Sequence, residues 1–177
     1  APYSIFKDVY KLEPGGILKF RHGKIRKWKY WEVSQKYHEG VKEQITDFDE
    51  AKTGLKDRLK ASVKARMIAD VPIGAFLSGG YDSSLVCAIA QELSDEPIRT
   101  YCIGFEQEEL NEAEYAGEIA KYLGTKHTEV YISDADMYAL VEEISYYYDE
   151  PFADASQIAT MLVSELAKKD VSVVLSG

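Results

Sequence analysis

Apolar and polar positions change period along this 177-residue chain. Between residues 16 and 31 they alternate. Ile17-Leu-Lys-Phe-Arg and Lys24-Ile-Arg-Lys-Trp-Lys-Tyr-Trp31 flank His22-Gly23, which predicts a β-hairpin, and Pro14-Gly15-Gly16 marks a turn before it. Residues 34–47 are polar and read as a linker, with His22 and His38 as exposed loop residues. The period becomes helical over residues 48–69: Ala51, Leu55, Leu59, Val63 and Met67 form a stripe expected to pack on a sheet, with Asp47 as cap. Lys52, Lys56, Lys60 and Lys64 share another face and read as solvated surface.

Short apolar runs and helical stretches then take turns. Residues 71–77 (VPIGAFL) predict a buried strand, followed by a helix with Leu85, Ile89 and Leu93 on one face and Val86 and Ala90 beside them. A strand over 98–103 precedes a helix over 112–123, with Asn111 as cap, Glu114 in its first turn and Gly124 as its stop. A strand over 128–132 is followed by a helix from 135 to about 147, capped by Ser133, with Met137, Leu140, Val141 and Ile144 inward. A helix over 155–168, with Ile158, Leu162 and Leu166 inward, leads to a strand over 171–175. Such alternation predicts an α/β fold: an open, mainly parallel sheet with helices on both faces and an N-terminal hairpin appendage. The expected organisation is a hairpin and linker over 1–47 and a nucleotide-binding domain over 48–177.

Composition narrows the classes. The chain is 46% hydrophobic with a net charge of −9, which argues against general binding of nucleic acid or anionic membranes. No apolar run approaches the ~18 residues of a membrane span. Cys87 and Cys102 lie in apolar patterns and are expected to be reduced core thiols, which fits a cytoplasmic setting. Ala1-Pro-Tyr-Ser shows no charged-then-apolar leader and no initiator Met, so the sequence is expected to be an excised piece.

Candidate chemistry concentrates in Leu77-Ser78-Gly79-Gly80-Tyr81-Asp82-Ser83-Ser84, between a strand and a helix. The glycines allow a sharp turn and close backbone approach. The first N–H groups of the helix face outward, and its dipole favours an anion there. Ser78, Ser83 and Ser84 add hydroxyl donors. The loop has no lysine of the G-x-x-x-x-G-K-[ST] type and carries Asp82 instead. A carboxylate beside phosphates calls for a hard cation between them, so Asp82 is the candidate Mg²⁺ ligand.

Ser78-Gly-Gly-Tyr-Asp-Ser-Ser84 resembles the S-G-G-x-D-S-S loop of the ATP-pyrophosphatase (PP-loop) superfamily. The run from Asp70 to Leu85 resembles the synthetase domain of glutamine-hydrolysing asparagine synthetases, as do Ile103-Gly-Phe-Glu106, Leu123-Gly-Thr-Lys-His127, Asp149-Glu-Pro-Phe-Ala-Asp154 and Val173-Val-Leu-Ser-Gly177. The resemblance implies ATP-dependent activation of aspartate as β-aspartyl-AMP with release of pyrophosphate. Amidation by ammonia from a separate glutaminase domain would follow. It implies that Leu77, Ile103, Ser176 and Gly177 line the nucleotide, while Ser78, Gly79, Gly80, Asp82, Ser83 and Ser84 hold pyrophosphate and Mg²⁺. It places strand 171–175 beside strand 71–77, so that Ser78 and Ser176 face each other, and Ile103 at the end of the other neighbouring strand. Residues 1–33 become packing surface for a neighbouring domain, and a homo-oligomer is an open expectation. The family's further metal-binding Asp and a Glu near the acyl-adenylate fall past Gly177. The 177-residue piece is therefore expected to bind ATP weakly and not to make asparagine. Tyr81 stands where leucine is common and is expected to be tolerated. Glu106, Glu108 and Glu109 read as a solvated loop, Asp149, Glu150 and Asp154 as loop and helix-cap acids, and His127 as a packed histidine. Rival readings are a β-lactam synthetase-like enzyme, another PP-loop enzyme acting on tRNA or a nucleotide, and a non-catalytic nucleotide-binding module.

Overall fold

The structure, a computed structural model, describes residues 1–105, 111–151, 154 and 156–177. The acidic loop at Glu106, Glu108 and Glu109 and the helix start at 155 lie outside the described residues. The chain divides into two compact units, Ala1–Ala51 and Lys52–Gly177.

In the first unit, strands β1 (Gly16–Arg21) and β2 (Lys24–Lys29) pair antiparallel. His22 and Gly23 both have positive φ, 50° and 74°, as a two-residue type I′ turn requires. Gly15, at φ 68°, follows Pro14 in a turn closed by the Gly16 N–H donating to the Glu13 carbonyl at 2.9 Å. The expected linker contains a helix, α1 (Val33–Lys42). It buries no residue, which is why an apolar stripe did not reveal it. Local pairs hold it: Gln35 Nε2 donates to Glu39 at 2.8 Å and Lys36 Nζ to the same carboxylate at 2.7 Å. His38 therefore sits on a helix, exposed, with Nδ1 2.6 Å from the Ser34 carbonyl.

Helix α2 (Phe48–Arg66) starts with the Glu50 N–H donating to Asp47 Oδ1 at 2.8 Å, the expected cap. Only the later part of its stripe packs. Val63 is buried with Ile89 and Ala90, flanked by Leu59 and Met67, whereas Leu55 is exposed. The packing partner is mainly another helix, since Ile89 and Ala90 belong to α3 (Tyr81–Glu92). Of the lysine face, Lys60 reaches Glu92 at 2.8 Å.

A four-stranded parallel sheet organises the second unit, in the order β5-β4-β3-β6. Its strands are β3 (Ile73–Phe76), β4 (Arg99–Phe105), β5 (Lys126–Ile132) and β6 (Val173–Leu175). β3 and β6 are shorter than their apolar runs. The pairing continues as single bonds: Leu77 N–H donates to the Tyr101 carbonyl at 2.9 Å and Ser172 N–H to the Pro72 carbonyl at 3.1 Å. β4 runs two residues past Ile103 because Gly104 and Phe105 still pair with Tyr131 and Ile132.

Helices α3 and α4 (Ala113–Leu123) cover one face of this sheet. There Ala75, Leu77 and Cys102 meet Cys87 and the three alanines Ala113, Ala116 and Ala120. The other face carries α7 (Gln157–Lys168), where Tyr101 packs with Ala167 and Val171. The inward face of α3 is Ser83, Cys87, Ile89 and Ala90; Leu85, expected inward, is 46% exposed. Burial pushes the Cys87 thiol up to about 12 and that of Cys102 to about 11, and neither forms a disulfide. The helix expected over 135–147 breaks into α5 (Asp134–Val141) and α6 (Ile144–Tyr147), with Val141 exposed at the break. Ser133 and Asp136 form a full capping box at its start. Asn111 accepts the Ala113 N–H at 3.2 Å, so its side chain closes the α4 N-terminus from one residue further out than expected. Gly124 ends α4 at φ 71°. No helix among the described residues is long and apolar enough to cross a membrane.

Candidate nucleotide site

The loop after β3 lies at the carboxyl end of the sheet, between the β3–β4 pair and the β3–β6 pair. The strand order reverses here, with β4 on one side of β3 and the last strand, β6, on the other, and such a switch point is where open parallel sheets bind ligands. Gly79 takes φ 83°, which turns the chain from Ser78 toward the helix. Gly80 is the N-cap of α3, extended at φ −71° and ψ 160°, and no side chain caps the helix. The N–H groups of Gly79, Gly80, Tyr81, Asp82 and Ser83 have no acceptor among the described residues. A buried helix start would need such partners from the protein; this one leaves them for a ligand or water.

The serines hold this shape. Ser83, buried, donates its one hydroxyl proton to the Gly80 carbonyl at 3.2 Å and accepts the Ser78 N–H at 3.2 Å. Its contact with Ser78 Oγ at 3.0 Å must then be donated by Ser78. Ser84 Oγ donates to the same Gly80 carbonyl at 2.7 Å. Ser83 and Ser84 thus fix the turn, and the outward-facing donors are backbone amides.

Besides its own anchor, two distant segments meet the loop. Leu77 is fully buried beneath it. The first turn of α4 abuts Gly79: a Cβ there would lie 3.0 Å from Tyr115 Cβ and 3.2 Å from both the Ala116 nitrogen and the Glu112 carbonyl oxygen. Gly177 lies against the first turn of α3, where a Cβ on it would come within 2.6 Å of the Ser83 nitrogen and 2.7 Å of the Asp82 carbonyl carbon. The sequence pointed to Gly177 but not to the Glu112–Ala116 turn, whose only signal was the glycine it touches. Ser176 is exposed, and among the described residues its hydroxyl donates to the Gly177 carbonyl at 3.5 Å. Ile103 stands apart. Its side chain lines a cavity with Val130, Leu162 and Leu166 on the α7 face, opposite to α3. Asp82 is exposed in the first turn of α3, and no group of three or more His, Cys, Asp or Glu gathers around it among the described residues.

His127 packs under the same helix layer. Its Nδ1 meets Thr100 Oγ1 at 2.9 Å, and that buried hydroxyl also meets Thr125 Oγ1 at 2.9 Å. Nε2 is buried without a hydrogen-bond partner, 3.7 Å from Glu129. Burial lowers the His127 pKa, with Glu129 opposing more weakly. The unfolded chain then takes up the proton more readily than the folded one. Stability from this site is full above the ordinary histidine value of ~6.5 and falls as pH drops through it. Urea midpoints measured between pH 8 and 5.5 are expected to fall in the wild type and to flatten in His127→Asn, whose amide keeps the Thr100 bond.

The geometry defines an α/β domain with a glycine turn and a helix start open to an anion. The asparagine synthase family model matches residues 54–177. A putative glutamine-hydrolysing asparagine synthetase 2 of Methanocaldococcus jannaschii is 41% identical over 180 residues, covering 100% of this chain and 34% of that protein. Asparagine synthetase 1 of Bacillus subtilis is 33% identical over 177 residues, covering 99% of this chain and 27% of that one. An NH3-dependent NAD synthetase structure from Campylobacter jejuni aligns with TM-score 0.45 at 15% identity, over 73% of this chain and 56% of that one. The chain belongs to the asparagine synthase family. It spans about a third or less of the length of these curated relatives.

Proposed function

We propose that this chain forms the ATP-using part of a glutamine-dependent asparagine synthetase. The observation that carries this reading is the row of amides from Gly79 to Ser83 without internal acceptors, in a member of that family. In this reading Ser78, Gly79, Gly80, Ser83 and Ser84 build the cradle for pyrophosphate oxygens. Leu77, Ile103, Ser176 and Gly177 border the nucleotide, Ile103 through its backbone, since its side chain faces the other layer. Asp82, an exposed carboxylate in the first turn, would hold Mg²⁺, which would offset the charge of the phosphates beside it.

Holding the two outer phosphates makes pyrophosphate the leaving group. The aspartate side-chain carboxylate attacks the α-phosphorus, the bond to pyrophosphate breaks, and β-aspartyl-AMP results. Ammonia from the glutaminase part of the longer protein then attacks the acyl carbon, loses a proton and displaces AMP. The residues named here contribute alignment and charge neutralisation through fixed dipoles.

Calorimetric titration of the chain with ATP, with and without Mg²⁺, tests the reading. The wild type is expected to bind Mg·ATP saturably and more tightly than AMP. Asp82→Ala is expected to lose at least ~tenfold in affinity, about 1.4 kcal/mol, and most of the Mg²⁺ dependence. A wild type with no saturable binding, or a variant with unchanged Mg²⁺ dependence, overturns the assignment.

A further inference from the structure

The ladder between β3 and β4 stops before β4 does. Leu77 N–H donates to the Tyr101 carbonyl at 2.9 Å, so Tyr101 turns its backbone groups toward β3. Ile98, of the other parity, turns its carbonyl toward β5 and accepts the Lys126 N–H at 2.8 Å. Ile103 has the parity of Tyr101 and faces the same way as it, past the end of β3. Its N–H meets no acceptor among the described residues. Such an edge can pair with the rim of a planar heterocycle, but it offers nothing to the faces of one.

Gly104 decides what lies beside that edge. It shares the layer of Cys102, toward α4, where a Cβ on it would lie 3.0 Å from Ala113 Cβ. The same Cβ would lie 2.6 Å from Cε1 and 2.7 Å from Cδ1 of Tyr131. Tyr131 stands on β5, opposite Gly104 in the register. Its side chain therefore leans across β4, in the direction of β3 and the glycine loop, and fills the space that a side chain at position 104 would need. Tyr131 is 48% exposed, so this seat fixes the ring without burying it. Ala113 begins the same turn of α4 that abuts Gly79, so the ring, the α4 start and the loop follow one another along the carboxyl edge of the sheet.

We propose that Tyr131 is the base platform of the nucleotide site. A purine whose rim pairs with the Ile103 backbone turns one face toward the α4 layer, and the Tyr131 ring stacks on that face. The proposal rests on the ATP reading above and adds a residue to it. The amides of Gly79 to Ser83 hold the phosphates, and Ile103 and Tyr131 hold the base. The two contacts divide the work. Stacking needs only a π-face and adds affinity for any base. Choice of base falls to the Ile103 N–H, which needs an acceptor: adenine offers its unprotonated N1, where guanine carries a proton.

Calorimetric titration with Mg·ATP, and with Mg·tripolyphosphate, which has the phosphates and no base, tests this. Tyr131→Ala is expected to lose at least ~tenfold in affinity for Mg·ATP and to keep the wild-type affinity for Mg·tripolyphosphate. Tyr131→Leu, which keeps apolar bulk but not the π-face, is expected to show the same split. Tyr131→Phe keeps the face and is expected to bind both ligands as the wild type does. In the ATP complex, nuclear Overhauser contacts are expected between adenine H2 or H8 and the Tyr131 ring protons. Circular dichroism and urea midpoints check that each variant is folded. Unchanged Mg·ATP affinity in Tyr131→Ala, or equal losses for Mg·ATP and Mg·tripolyphosphate, overturns the platform and leaves the phosphate cradle standing. A wild type that binds neither ligand overturns the ATP reading and the platform with it.

Discussion

Gly79→Ala is expected to abolish most nucleotide binding while leaving a folded chain. At φ 83° an alanine pays a backbone penalty of about 1–2 kcal/mol. Its methyl would also sit 3.0 Å from Tyr115 Cβ and 3.2 Å from two backbone atoms of the α4 first turn. Backbone cannot swing aside as a side-chain tip does, so either the loop rotates or α4 backs away. Both displace the amides of Gly79 and Gly80 from the positions that make the anion site. The expected loss is at least ~tenfold in Mg·ATP affinity by calorimetry, with about 1–3 kcal/mol of stability by urea titration. Unchanged affinity would mean that those amides are not the cradle.

Leu77→Ala is expected to produce the largest stability loss, about 2–5 kcal/mol, read as a lower urea midpoint at unchanged slope. Leu77 is fully buried among Ala75, Cys87, Cys102, Ala113, Ala116 and Ala120. Its neighbours are small side chains on four different elements, β3, β4, α3 and α4, so they cannot close over the space left behind. Leu85→Ala serves as the contrast. That side chain is 46% exposed, and its removal should cost about 0.5 kcal/mol or less. Equal losses at both positions would show that the inward face of α3 has been assigned to the wrong side.

The contrast between those leucines marks where sequence patterns carry and where they fail. Large apolar residues at Leu85, Ile89 and Leu93 outline a helical face, yet the buried residues of α3 are Ser83, Cys87, Ile89 and Ala90, and the one packed with Ala75, Leu77 and Cys102 is Cys87. Small residues let a helix approach the strands closely, and hydropathy underweights them. The central strand β3 was legible because it is a short apolar run covered on both faces, with Ala75 and Leu77 toward α3 and α4 and Phe76 toward Ala167 and Val171. Helix α1 was not, since it is held by Gln35, Lys36 and Glu39 and buries nothing. The glycine loop was legible from residue order alone. What borders it was only partly so, because the Glu112–Ala116 turn arrives from more than thirty positions away. Ile103 was placed beside the loop by its strand. The period of two that makes a strand also puts Cys102 and Ile103 on opposite layers, and Cys102 has the loop's side.

The face of α4 toward the sheet is Ala113, Ala116 and Ala120, all essentially inaccessible. Three methyl groups act as a shim of fixed thickness between helix and strands. Because the same helix leans on Gly79, the shim also sets the gauge of the turn at the far end. A thicker residue at any of the three positions would lever α4 outward and open that turn without touching it. Drift at these alanines is thus constrained by a distance measured elsewhere in the molecule.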